Sequence, residues 1–145
     1  MNDFNARLNS SWWALRLCLG GAAFLAGLDK YFNILADWQA YLSPVVTQVL
    51  PVSGAVFMAL VGIIEMIVGL AILTRWTKVG SYIAMAWLVA IALNLLMTGR
   101  FFDVAVRDVA MAIAAFTLAR LTECREVATE SEGTGYLPHG ARSRA

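Results

Sequence analysis

The sequence predicts an all-α integral membrane protein: a four-helix bundle with an amphipathic interfacial helix or loop between its first two spans. Three observations carry that expectation. Of 145 residues, 60% are hydrophobic and only 14% charged, whereas soluble domains have roughly 45–50% apolar and about 25% charged residues. Mean hydropathy is +0.68. The apolar residues also gather into four blocks of spanning length, where about 17–25 residues are needed.

The first block, 12–28, contains WWALRLCLGGAAFLAGL. Arg7 before an apolar run and small residues at 22–26 have the layout of a signal peptide. Arg16 breaks the apolar region, so the block is expected to remain as a span. Residues 29–52 include DWQAYLSPVVTQVLP, whose apolar positions fit a partial helical face interrupted by Pro44 and Pro51. This segment is expected to lie on the bilayer surface. The second block, 53–73, is separated by the polar turn TRWTK from the third, 79–97. A second tight turn, TGRF, leads into the fourth, 102–119. The four spans make one domain, 1–121. From 122 to 145 the chain is polar and reads as a flexible cytoplasmic tail.

Charge placement sets the orientation. Arg7, Arg75, Lys78, Arg120, Arg125, Arg142 and Arg144 fall on one side, against Lys30 and Arg100 on the other. Cationic loops stay inside, so both termini are expected in the cytoplasm. Trp12, Trp13 and Trp76 would form the inner aromatic belt, and Trp38, Tyr41, Phe101 and Phe102 the outer one.

Several chemistries are excluded. Net charge is +1, which gives no basic surface for nucleic acid. Cys18 and Cys124 are far apart and form no CxxC pair, so neither a thiol relay nor zinc is expected, and Cys18 reads as a small buried apolar side chain. The only histidine, His139, lies in the tail, which leaves the spans without haem-ligating histidine and their serines without an activating base. No metal site, no catalytic residue and no cofactor held by this chain alone is expected.

Charged side chains within spans cost about 2.5–3.5 kcal/mol each on insertion scales, so they face the bundle interior and pair. The spans hold Arg16, Glu65, Arg107 and Asp108. At 1.5 Å per residue, Arg16 and Glu65 both lie roughly 18 Å below the outer ends of their spans, and a deep Arg16–Glu65 pair is expected. A shallower layer would gather Asp29, Lys30, Asn94, Asp103, Arg107 and Asp108. Asp103 and Arg107 share a helix face; Asp108 points about 100° away and needs another partner, for which Lys30 is the candidate. In GIIEMIVG, Gly62, Glu65 and Gly69 share a narrow face beside which a neighbouring backbone fits, and Ala23 and Gly27 form a small-xxx-small pair. Neutralisation of Arg16 is the expected role of Glu65; proton coupling is the alternative.

Arg16 before GGAAFLAG, GLDKYFNILADWQAYLSP at 27–44, GIIEMIVGLAIL at 62–73 and VRDVAMAIAAF at 106–116 together resemble the DoxX family of small four-span bacterial membrane proteins. The resemblance covers Arg16 to Leu118 and implies a bundle in the bacterial cytoplasmic membrane. It also implies a non-catalytic accessory subunit of a quinone-linked redox assembly, in contact with quinone or lipid and partnered by an oxidoreductase subunit or by further copies of itself. The alternative from the residues is a small oligomeric transporter that uses an intramembrane carboxylate.

Overall fold

A computed structural model describes residues 2–49 and 51–135, with side chains over 7–49 and 51–129. His139, Arg142 and Arg144 lie outside the described residues. Every regular element among those described is helical. The long helices are α1 (Asn2–Asp29), α3 (Gly54–Leu73), α4 (Thr77–Met97) and α5 (Phe102–Gly135). A 3-10 turn, Trp38–Tyr41, and the short α2, Pro44–Val49, lie between α1 and α3. Three stretches, Arg7–Asp29, Gly54–Leu73 and Thr77–Met97, are long and apolar enough to cross a membrane. α5 is longer still but carries Asp103, Arg107 and Asp108 near its start.

Local chemistry places the boundaries. Ser53 caps α3, its side chain accepting from the Val56 amide. Thr77 Oγ1 donates to the Ile72 carbonyl at 2.9 Å, which closes the turn between α3 and α4. Gly99, with φ +66°, ends α4 in the left-handed conformation that glycine adopts without strain. Pro44 opens α2, where a missing amide costs nothing, and Ser43 Oγ accepts from the Val46 amide.

Two helices outrun their apolar blocks. α1 begins ten residues before Trp12, and α5 continues unbroken through 122–135, where a flexible tail is expected from composition. Hydropathy marks where a helix leaves an apolar layer, not where its hydrogen bonding stops. No glycine or proline interrupts 103–132, and side chains of α1 and α4 brace the extension of α5. Trp12 Nε1 donates to Thr122 Oγ1 at 2.8 Å, Lys78 pairs with Glu126 at 2.5 Å, and Tyr82 donates to Glu123 at 3.0 Å.

The long helices touch in the cyclic order α1–α3–α4–α5–α1. The α1–α3 register is set by glycines. Gly20 faces Gly69 and Gly27 faces Gly62, and a Cβ on Gly27 would fall 2.6 Å from the Gly62 carbonyl oxygen. The two helices are therefore antiparallel and backbone-close, with α3 projecting beyond the end of α1. Gly20, not Ala23, joins Gly27 in this contact; Ala23 lines a cavity.

Side chains form two packed clusters. One holds Trp12, Leu19, Val68, Ile72, Ala84, Ala115 and Leu118. The other, nearer the 98–101 turn, holds Ala92, Leu95 and Ala105 beneath Tyr41 and Phe101. Large apolar side chains such as Leu17, Leu25, Ile67, Ile83, Val106 and Ile113 point outward. So does Cys18, which is exposed and not buried as composition suggests: it faces away from the α3 contact, among these outward side chains.

Candidate functional site

The 30–53 segment folds back over the helix ends, and Asp29 organises it. Its carboxylate accepts from the Ile34 and Leu35 amides at 3.0 and 2.9 Å and from Trp38 Nε1 at 2.8 Å. This is the acidic turn-former role, in which a short side chain satisfies backbone donors just beyond a helix end. The fold so made lays the Trp38 ring 3.8 Å from Lys30 Nζ. Asn94 holds the other end, accepting from the Ser43 amide at 3.1 Å and donating to the Tyr41 carbonyl at 2.7 Å. Part of this segment lies inward: Trp38, Tyr41, Leu42 and Val46 line the cavity below it, whereas a wholly surface-lying segment is expected from sequence.

Asp29→Ala is accordingly expected to leave helix content unchanged while residues 31–42 exchange amide hydrogens much faster, since hydrogen bonds to a charged acceptor contribute about 1.5–3 kcal/mol. Hydrogen exchange by mass spectrometry checks this; unchanged protection would show that other contacts hold the segment.

Lys30 Nζ reaches Glu65 Oε2 at 2.5 Å, and the two side chains are only 4% and 10% exposed. The deep pair expected between Arg16 and Glu65 does not form. Arg16 instead donates Nε to the Ile72 carbonyl at 2.9 Å and Nη2 to the Leu73 carbonyl at 2.8 Å, and also reaches the Thr74 carbonyl. It lies against the Trp12 and Trp13 rings. A guanidinium here satisfies carbonyls that α3 leaves unpaired at its C-terminus and meets the negative end of the helix dipole. The reason is register. The depth argument takes the outer ends of spans one and two as level, but the glycine contacts offset them by about two turns. Lys30 thereby comes opposite the Glu65 face, and Arg16 opposite Leu73.

The shallower layer also divides. Asp103 and Arg107 pair at 3.7 Å, as their spacing suggests, but they point outward with side chains 79% and 71% exposed. Ala105, Ala112, Ala115 and Ala119 are the buried face of α5, and Asp108 lies on that side. Asp108, Lys30, Glu65 and Asn94 all line one cavity of about 440 Å³. Asp108 makes no hydrogen bond or ion pair among the described residues, although Arg107, Glu65 and Lys30 are near enough to act on its charge.

The rest of the cavity is apolar. Ala22, Ala23, Ala26, Ala84 and Ala90 line it, so facing helices leave space that larger side chains would fill. Phe57, Met58, Val61, Leu88 and Met111 complete much of the wall. Trp87 lines it too, and its buried Nε1 has no hydrogen-bond partner; buried Ser81 Oγ, elsewhere on α4, is likewise unpartnered. An apolar cavity of this size with a few convergent polar groups is the usual form of a small-molecule site. Among the described residues, no three histidine, cysteine, aspartate or glutamate side chains cluster as for a metal.

Sequence reasoning found Glu65, Lys30, Asn94 and Asp108 but missed the two tryptophans. Trp38 reads as belt from hydropathy; its place over Lys30 follows only from the turn built by Asp29. Trp87 carries no sequence signal beyond lying in a span. No protein-family model matches this chain, and no curated protein or solved structure matches it.

Proposed function

We propose that this chain is a four-span protein of the bacterial cytoplasmic membrane that holds an amphipathic, quinone-type molecule between its helices. In this reading it serves as a non-catalytic subunit of a redox assembly. The observation that carries the proposal is the cavity: apolar walls ending at the buried Lys30–Glu65 pair and the unpaired Asp108. Such a lining receives an apolar body and orients a polar head.

Membrane placement is supported by three apolar helices and by the outward-facing aliphatic belt, which is too extensive for a water-exposed monomer surface. α5 serves as the fourth span. Asp103 and Arg107, on its outer face within two turns of its start, reach the interface from there. Arg7, Arg75, Lys78, Arg120 and Arg125 mark the opposite end as cytoplasmic. The DoxX resemblance supports the redox setting.

The test is purification of the tagged protein from its native membrane in mild detergent, followed by solvent extraction and mass spectrometry of lipids and partners. A quinone-type lipid at near-stoichiometric amount, with an oxidoreductase subunit, is the expected result. A homo-oligomer that retains only bulk phospholipid would overturn the reading and favour transport. In that case Asp108 becomes the coupling carboxylate, because Glu65 is already held by Lys30.

A further inference from the structure

The polar groups around the cavity can be counted as donors and acceptors. Lys30 supplies a cation, already engaged by Glu65 and covered by the Trp38 ring. Trp87 Nε1 is a donor without an acceptor. Asp108 is a carboxylate without a donor, and Glu65 leaves one oxygen, Oε1, unengaged by Lys30. One cation thus lines the cavity with two carboxylates, and Arg107, which also acts on the Asp108 charge, is paired outward with Asp103, so the deficit is in donors. A carbonyl head could accept from Lys30 but would leave Asp108 as it was. A hydroxyl head donates as well as accepts, so of the two heads only it satisfies Asp108.

We infer that the cavity selects a ligand with a hydroxyl head, and so takes the reduced, hydroquinone form of a quinone-type molecule in preference to the oxidised form. Asp108 is the selecting acceptor, and the Trp87 ring, as part of the cavity wall, contributes to binding of both forms. The inference rests on the proposed ligand-holding role and adds the head-group chemistry. A half-buried carboxylate left without a donor keeps the desolvation cost its burial imposes, whereas one that accepts from a hydroxyl recovers part of it, which is where the discrimination arises.

The experiment compares a decyl-chain benzoquinone with its hydroquinone by anaerobic isothermal titration into the full-length protein in nanodiscs. The two probes differ only in the head. Wild-type protein should bind the hydroquinone about tenfold or more tightly, the size expected for a hydrogen bond to a charged acceptor. Asp108→Leu removes the acceptor together with a half-buried charge, and should bind both forms alike. Trp87→Phe should weaken both and keep the preference. Equal or tighter binding of the quinone by wild type would overturn the head-group assignment while leaving the ligand-holding role intact. Binding of neither probe would overturn both.

Discussion

Glu65→Leu is expected to cost about 3–5 kcal/mol of stability, because it strands the Lys30 ammonium at a site where its side chain is only 4% exposed. Neither the Trp38 ring, 3.8 Å away, nor the apolar cavity wall substitutes for a carboxylate. The double variant Lys30→Leu/Glu65→Leu should lie near wild type or above it, since a buried ion pair is often no better than packed apolar groups of similar volume. Thermal unfolding in one detergent, followed by helix content, measures all three proteins. A single variant within about 1 kcal/mol of wild type would mean that water or lipid head groups reach Lys30, against its burial here. The same cycle separates roles: stable double-variant protein that no longer retains ligand would place the pair in binding as well as in folding.

Gly62→Val should be nearly as damaging, for a steric reason. A Cβ at Gly62 would fall 2.6 Å from the Gly27 carbonyl oxygen, and one at Gly69 would fall 2.7 Å from both the Gly20 carbonyl oxygen and the Phe24 amide nitrogen. These are backbone atoms in helices and have no rotamer through which to yield, so α1 must move away from α3. Overpacking costs typically 1–3 kcal/mol, and the rigid obstacle puts Gly62→Val at the upper end or beyond. The displacement also draws Lys30 from Glu65, so hydrogen exchange should rise in 31–42 along with the stability loss. Gly21→Ala is the control: a Cβ there meets nothing within 4 Å, and the change should be nearly neutral or slightly stabilising. If Gly62→Val and Gly21→Ala behave alike, the glycine-set register is not what holds these helices together.

The residues that sequence reading placed well are those whose role depends on one helix. The Gly62–Glu65–Gly69 face is an i, i+3, i+7 set, and helical geometry alone brings it to one side. Asp103 and Arg107 pair across one turn for the same reason. The readings that changed depended on two helices at once. Arg16 and Glu65 look level only if α1 and α3 end together, and nothing in either segment states how far one slides past the other. The continuation of α5 was hidden differently, because its polar second half resembles a solvated tail until Lys78 and Trp12 are seen to brace it.

Composition and pattern by themselves determined the all-helical class, the apolar stretches, the turns within 74–78 and 98–101, and the need for buried charges to find partners. Those are consequences of hydrogen bonding, hydropathy and the cost of desolvated charge, and they act locally along the chain. Tertiary structure alone decided which partner each charge received. It matched Gly20 to Gly69 and Gly27 to Gly62, gave Glu65 to Lys30, sent Arg16 to the end of α3, and left Asp108 facing a cavity with no partner among the described residues. The physical reason is that antiparallel helices can slide through many registers of similar hydropathy, and close contact between backbones, satisfied only where glycine meets glycine, selects one.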